Sequence, residues 1–195
     1  MALITKVVCR SARRCLRGLA GFGFLVSALL FSGGLDLPVQ AGSAEYELKA
    51  AFLYNFSQFV VWPAGAFSGA QSQIVIGVVG DDPFGGSLEE IVRGQKANNH
   101  PLVVQRFRQI EEIRPCHILF VSRSEAGRLN QIVAISRNRN ILTVSDIEGF
   151  AQHGGMIALV TENNRIRFKI NLAAVKAENL TVSSKLLRVA EIVTP

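Results

Sequence analysis

The stretch ILTVSDIEGFAQHGGMIALVTENNRIRFKINLAAVKAENLTVSSKLL, residues 141–187, decides the fold of this chain. Its first four residues form a short apolar run that is typical of a buried strand. Two further strand patterns, residues 156–161 and 165–171, flank Glu162-Asn163-Asn164, and asparagine tolerates the left-handed backbone that tight loops require. The spacing predicts an antiparallel hairpin with a three-residue loop.

The second strand of this hairpin alternates apolar and basic side chains. The alternating residues are Ile166, Phe168 and Ile170 on one face and Arg165, Arg167 and Lys169 on the other. Because successive strand residues point to opposite faces, one face should join the core and the other should meet solvent or a partner. The residues that follow predict a helix over 172–178 and a last helix over 183–193.

Strand and helix patterns alternate before residue 141. The predicted strands are residues 74–80, 102–107, 117–121 and 141–144, and the predicted helices are residues 87–93 and 124–136, the second with Ser124 as its N-cap. This order favours a single α/β domain over residues 44–195. We expect a mainly parallel sheet flanked by helices on both faces, with a C-terminal antiparallel hairpin.

The helix that precedes these strands carries an aromatic stripe. Ser43 is a suitable N-cap, and Pro63 ends the helix. The apolar residues that recur at three- and four-residue spacing are Leu48, Phe52, Phe56, Phe59 and Val60. Such a stripe is typical of a helix face that packs on the core rather than of a cofactor site.

Residues 1–41 have the pattern of a secretory signal peptide. A basic segment ends at Arg17, an uncharged segment covers residues 18–34, and Val39-Gln40-Ala41 offers small residues for cleavage. Cleavage after Ala44 is an alternative. An uncleaved membrane anchor is the other reading, but the apolar run is short and rich in glycine for a span of about 20 residues. We therefore expect export to the periplasm.

The formal net charge of +6 does not indicate a nucleic-acid partner. Five basic residues and one acidic residue lie in the leader, which leaves 16 basic and 14 acidic residues in the rest of the chain. Those 16 form no basic run, so the electrostatic signature of a nucleic-acid-binding protein is missing.

The sequence shows no catalytic, metal or cofactor motif. His100, His117 and His153 are scattered without metal-ligand spacing. Gly80 and Gly85 match the glycine spacing of a phosphate-binding loop, but Gly86 stands where that motif needs lysine. We therefore predict no catalytic residue, no metal, no cofactor and no enzyme activity. We interpret residues 80–86 as a tight turn capped by Asp81 or Asp82.

Cys116 is the one cysteine after the leader, and it lies in an apolar strand pattern. An exported chain with a single cysteine has no internal disulfide. We interpret Cys116 as a small buried apolar residue. A reactive thiol or an intermolecular disulfide is the alternative.

Several blocks, in one order along most of the chain, resemble the YfiR family of bacterial periplasmic proteins. The blocks are LKAAFLYNFSQFVVWP (48–63), IGVVGDDPFG (76–85), CHILFVSRSE (116–125), ILTVSDIEGFAQHGG (141–155), RFKINLAA (167–174) and SSKLLRVA (183–190). The resemblance implies a compact α/β domain, often a homodimer, that binds an inner-membrane signalling protein. The partner would be the periplasmic domain of a diguanylate cyclase or of a sensor kinase. Repression of such a cyclase lowers cyclic di-GMP and so controls biofilm formation.

The resemblance also places the partner surface around the RFKINLAAVK segment. Carried over by position, the implied partner-binding residues are Arg167, Lys169, Asn171, Ala174 and Val175. An exposed strand and helix end without a binding role is the alternative reading of these residues.

Two positions depart from the family pattern. An acidic residue is common where Lys169 stands, which implies a partner surface of different charge. Some members have a disulfide near the Gly-Gly turn, where this chain has Ala151 and Ala158. Redox control through that bond is therefore not expected here.

Two other functions are compatible with the sequence. Apolar strands and the loop over residues 81–86 could line a pocket at the carboxyl edge of the sheet, as in a small-ligand sensor or solute-binding module. An exported hydrolase would need a polar catalytic group set in the structure, and we predict none.

Overall fold

The structure, a computed structural model, describes residues 41–69 and 71–194. The predicted signal peptide, residues 1–41, lies outside them apart from Ala41. Among the helices of the described residues, none is long and apolar enough to span a membrane.

Five helices and ten strands make up the described chain. The helices are α1 Ala41–Phe59, α2 Ser87–Val92, α3 Leu129–Ser136, α4 Leu172–Ala177 and α5 Ser184–Leu187. The strands are β1 Val60–Val61, β2 Ile74–Val79, β3 Lys96–Ala97, β4 His100–Phe107, β5 Ile118–Val121, β6 Leu142–Ser145, β7 Ile157–Glu162, β8 Arg165–Asn171, β9 Thr181–Val182 and β10 Ala190–Val193. Single-turn 3₁₀ helices cover Ala64–Ala66 and Ile110–Glu112, and a longer one covers Arg123–Arg128.

Eight of the strands form one sheet in the order β10-β8-β7-β6-β5-β2-β4-β3. Strands β4, β2, β5, β6 and β7 run parallel, β8 is antiparallel to β7, and β10 is parallel to β8. Strands β1 and β9 form a separate antiparallel pair. The predicted mainly parallel sheet with a C-terminal antiparallel hairpin is therefore confirmed.

The sheet has an apolar layer on each face. On one face, the core includes Phe56 and Leu53 of α1, Leu88 of α2, and Phe120 of β5. On the other face, Ile132 of α3 belongs to a second cluster that includes alternate residues of the same strands. Because α1 and α2 pack on one side and α3 on the other, the expected helices on both faces are confirmed.

The hairpin loop is shorter than expected. Glu162 pairs with Arg165 in the β7–β8 register, so only Asn163 and Asn164 lie between the strands. Both asparagines have positive φ angles, 50° and 58°, which suit the two-residue turn that follows the strand twist. The predicted three-residue loop is wrong because Glu162 continues the ladder.

Two predicted helix caps are also wrong. Ser43 lies inside α1, where its hydroxyl donates to Glu47. Ser124 lies in the 3₁₀ segment before α3, and its hydroxyl accepts the Asp81 N–H at 2.9 Å. The predicted helix over 124–136 is thus a 3₁₀ helix followed by a shorter α-helix.

The C-terminus folds differently from the predicted helix over 183–193. Ser183 caps α5 as its hydroxyl accepts the Leu186 N–H, but α5 ends at Leu187. The chain then forms β10, in which Ala190 pairs with Phe168 and Ile192 with Ile170 of β8. The free edge of β8 stabilises a strand here, which the local helical pattern does not reveal.

Candidate functional site

The polar face of β8 forms an exposed surface with its two neighbouring strands. In the strand register, Arg167 lies opposite Val160 of β7, and Lys169 lies beside Glu191 of β10. Glu162 lies near both cations on the same side of the sheet. We call these five residues the β8 face.

Long ion pairs connect the charges of the β8 face. The nearest nitrogen and oxygen atoms are 3.5 Å apart for Arg167–Glu162, 3.8 Å for Lys169–Glu162 and 3.7 Å for Lys169–Glu191. Exposed pairs of this kind contribute about 0–1 kcal/mol each. Charges of a partner can therefore replace them at little cost.

Asn171 and Val175 lie inside the protein. Asn171 is buried, its side-chain oxygen accepts the Ala174 N–H at 3.0 Å, and its amide donates to the Ala151 carbonyl at 2.9 Å. Asn171 thereby caps α4 and ties β8 to the turn before β7. Val175 is buried in the core on the α1 side. A charged substitution at Val175 would report loss of folding rather than loss of a contact.

Of the five residues implied as partner-binding, the structure brings exposed Arg167 and half-buried Lys169 together on one face of β8. Ala174, half-buried, lies farther along and lines a cavity. Asn171 and Val175 position the strand–helix junction from within. A direct contact with a partner is thus open to the two basic side chains and to Ala174.

Two cavities flank the β8 face. One, of about 460 Å³, lies between α3 and α4, and Asn171, Ala174 and Met156 line it. The other, of about 450 Å³, lies at the carboxyl ends of β6 and β7, and Lys169 and Gln152 line it. The turn before β7 contributes residues to both cavities.

A buried charge cluster at the carboxyl edge of the sheet was not predicted from the sequence. Lys49 is 0% exposed, and its Nζ lies 2.6 Å from Asp146 and 2.5 Å from Glu45. The same oxygen of Asp146 accepts the Tyr46 hydroxyl at 2.9 Å and lies 3.1 Å from Nε of Arg123. Since Asp146 directly follows β6, the cluster ties α1 to this edge.

A signal for the buried lysine exists in the sequence. Lys49, Leu53 and Phe56 recur at helical spacing in α1 and are all buried, as is Val60 at the start of β1, whereas Leu48 is 46% exposed. The helix therefore has two overlapping sets of residues at helical spacing, one that contains Lys49 and one that contains Leu48. The predicted stripe was the one with the exposed Leu48. Hydrophobicity alone favours Leu48, because a buried lysine is rare without a partner.

Burial raises the pKa of Tyr46 to about 12, and the hydrogen bond to Asp146 and the charge of that carboxylate act in the same direction. Because the folded state keeps Tyr46 protonated, its contribution to stability is complete below the unfolded pKa of about 10. That contribution is lost as the pH rises from about 10 through the folded value.

We expect an absorbance titration at alkaline pH to show a phenolate step near pH 12 in the folded protein. The Tyr46→Phe variant should lack this step and should lose about 1 kcal/mol of unfolding free energy at neutral pH, since one hydrogen bond disappears. A Tyr54→Phe variant that removed the same step would contradict the assignment.

The glycine-containing loop after β2 is fixed by an arginine of β4. Asp82 accepts the Phe84 N–H at 2.9 Å. Arg106 lies 2.7 Å from Asp82, donates to the Gly85 carbonyl at 2.7 Å, and pairs with Glu89. The hydrogen bond from Arg106 holds the pKa of Glu89 below its usual value. The tight turn with Asp82 is confirmed.

Within residues 41–69 and 71–194, no group of three or more histidine, cysteine or acidic residues could hold a metal ion. Cys116 is buried, as expected, and burial raises the pKa of its thiol to about 12. The thiol is therefore protonated at neutral pH.

Comparisons with known proteins give a family and likenesses to solved structures. No curated protein matched the chain. The solved structure described as the ABC domain in complex with L-Trp from Streptococcus pneumonia has 11% sequence identity and a TM-score of 0.46. The match covers 62% of this chain and spans 55% of that one.

A sequence profile described as YfiR/HmsC-like matches residues 46–191. The matched region begins in α1 and ends in β10, and it includes the β8 face and all of the buried charge cluster except Glu45. The chain therefore belongs to the YfiR/HmsC-like family.

Proposed function

We propose that this chain is a periplasmic regulatory binding protein that represses an inner-membrane signalling protein. Membership of the YfiR/HmsC-like family is the observation that carries the proposal. The signal-peptide pattern of residues 1–41 supports export. The proposed partner is the periplasmic domain of a diguanylate cyclase or of a sensor kinase.

Repression in this proposal is a population shift. The signalling protein has an active and an inactive state, and the repressor binds the inactive state more tightly. A shift from 1:99 to 99:1 requires a preference of about 10⁴-fold, or about 5.5 kcal/mol. For a cyclase partner, the product cyclic di-GMP is made in the cytoplasm, so this chain would not bind it.

The β8 face is the proposed contact surface. Arg167 and Lys169 lie on the same face of the strand. Arg167 pairs with Glu162 and half-buried Lys169 with Glu162 and Glu191, all at long distances. A partner carboxylate can bind the Arg167 guanidinium through two parallel hydrogen bonds. The chain offers positive charge where an acidic residue is common in the family, so the partner should be acidic at this point.

We expect Arg167→Glu to weaken partner binding about tenfold, which corresponds to about 1.4 kcal/mol. The measurement is the yield of crosslinks to the partner in membranes after export. Arg93→Glu, at an exposed arginine that follows α2, makes the same charge change away from the β8 face and should leave the yield unchanged. Equal losses for the two variants, or none for Arg167→Glu, would contradict this contact.

A second copy of the chain is part of the proposal. Strand β10 lies at the edge of the sheet. Val189, directly before it, is 66% exposed, and Ile192 within it is 46% exposed. An exposed edge with apolar side chains favours pairing with another strand. Sedimentation of the wild type and of Ile192→Lys would show a dimer that the substitution weakens.

The cavities favour a small-ligand sensor as a second candidate function. Their volumes of about 460 and 450 Å³ are in the range of small-molecule sites. A ligand that binds only the folded state raises the midpoint of thermal unfolding. Screening of small metabolites by thermal shift therefore tests this candidate, and a lack of any shift at millimolar concentrations would exclude it for the compounds used.

A further inference from the structure

A short segment crosses the amino edge of the sheet between two histidines. Residues 63–69, which we call the strap, connect β1 to the stretch before β2. The ring of Phe67 stacks on His100 with centroids 4.2 Å apart and on His117 with centroids 4.9 Å apart. The interplanar angles are 10° and 22°, so the three rings form one stack.

The hydrogen bonds of His117 define its protonation state. Its backbone N–H donates to the Val75 carbonyl at 2.9 Å, and its ring Nδ1 accepts the Val75 N–H at 3.1 Å. A backbone N–H can only donate, so Nδ1 carries no proton. Nε2 lies 3.2 Å from the Ala66 carbonyl of the strap, which can only accept. The folded state therefore requires neutral His117 with its proton on Nε2.

Two further bonds hold this region together. His100 Nδ1 donates to the Ser72 carbonyl at 2.6 Å, beyond the end of the strap. The Trp62 indole N–H donates to the His117 carbonyl at 3.3 Å, and its ring meets the His117 ring edge-on at 6.0 Å. The strap and the tryptophan before it thus depend on the position of one imidazole ring.

Within the residues that the structure describes, no carboxylate influences the pKa of His117, so none stabilises a positive charge there. Residues 63–69 contain no charged side chain, and Val75 of β2 and Leu142 of β6 contact His117 through backbone groups. The preceding Cys116 has a protonated thiol. Burial lowers the pKa of His117, the hydrogen bond to Ala66 opposes this effect, and the charge of His100 adds to it.

We propose that the strap is a proton-operated latch that opens when His117 is protonated. A proton on Nδ1 removes the acceptor of the Val75 N–H and sets two donors against each other. A cation–π contact with Phe67 offsets part of the cost of the new charge, but it cannot replace the lost acceptor. The ring must therefore leave its place, and the strap loses the bond from Nε2 to Ala66.

The pH dependence follows from the lowered pKa. The folded state favours neutral His117, so the stability that it contributes is complete above the unfolded pKa of about 6.5. This contribution is lost as the pH falls from about 6.5 towards the lower folded value. Opening therefore sets in under mildly acidic conditions, and it exposes Trp62 and Phe67.

Trp62 is the single tryptophan of the chain and reports directly on the latch. We expect its fluorescence in the purified protein to fall and shift to longer wavelength as the pH falls below about 6.5, since protonation of His117 opens the latch. Hydrogen exchange gives a second readout, because quenching of Trp62 by a protonated histidine would change the fluorescence but not the exchange rate of an amide. The Val75 amide should lose at least tenfold in protection at the acidic end.

Two variants make the test specific. His117→Asn keeps an acceptor near the Val75 N–H but does not titrate, so both acid transitions should disappear. His153→Asn removes an exposed histidine and should leave both transitions unchanged. If His117→Asn fails to fold, the protection of the Val75 amide in the wild type still tests whether the latch opens. An acid transition in tryptophan fluorescence during which Val75 stays fully protected, or an acid transition that persists in His117→Asn, would overturn the latch.

Discussion

Lys49→Ala is expected to lower the free energy of unfolding by about 3–5 kcal/mol, because it removes the buried partner of a buried carboxylate. Asp146 is buried and has Lys49 Nζ at 2.6 Å. Arg123 and Tyr46 still contact the same oxygen, but both are more exposed. Chemical denaturation of the wild type and the variant measures the loss.

Two comparisons make this prediction specific to the buried pair. Lys185→Ala changes an exposed lysine and should stay within about 0.5 kcal/mol of the wild type. The double variant Lys49→Met/Asp146→Asn should be more stable than Lys49→Ala, because it removes both charges together. A loss at Lys49 no larger than that at Lys185 would show that the pair contributes little.

Glu178→Ala is expected to cost about 3 kcal/mol, since one buried carboxylate binds a whole turn. Its oxygens accept the backbone N–H groups of Asn138, Arg139 and Asn140 at 2.7, 3.0 and 3.0 Å. These residues connect α3 to β6, and φ is positive at both asparagines. Without the carboxylate, these three backbone N–H groups must bind water or remain without an acceptor.

The matched control is Glu178→Gln, which retains one acceptor oxygen and should cost only about 1 kcal/mol. Hydrogen exchange at Asn138, Arg139 and Asn140 should accelerate in Glu178→Ala and change less in Glu178→Gln. Equal stability of the two variants would show that side-chain packing, and not hydrogen bonding, is what Glu178 contributes.

The parallel sheet could be predicted because its strands have strong local signals. Apolar runs such as those of β2, β5 and β6 are bounded by turn residues and separated by helical patterns. The alternation in β8 correctly divided Phe168 and Ile170 from Arg167 and Lys169. These features depend on residues that are near each other in sequence.

The burial of Lys49 and the strand β10 could not be predicted in the same way. Lys49 is buried because Asp146, which lies 97 positions later, supplies its counter-charge. β10 forms because β8 has a free edge, while the same residues in isolation also fit a helix. Contacts between distant segments decide both outcomes.

The structural roles of two of the implied partner-binding residues could be predicted from local sequence signals. Asn171 stands directly before the helical run of α4, where asparagine is a favoured N-cap. Val175 lies on the apolar side of that helix. Position in a family motif therefore does not distinguish surface residues, which are free to contact a partner, from buried residues that hold the strand and helix in place.

Cellular cyclic di-GMP tests the central claim, repression of a membrane cyclase through the β8 face, most directly. The measurement compares a deletion strain with the same strain complemented by the wild type, Arg167→Glu or Arg93→Glu, at equal periplasmic levels of protein. We expect the deletion to raise cyclic di-GMP, the wild type and Arg93→Glu to restore it, and Arg167→Glu to fail. Unchanged cyclic di-GMP in the deletion strain would contradict the cyclase account.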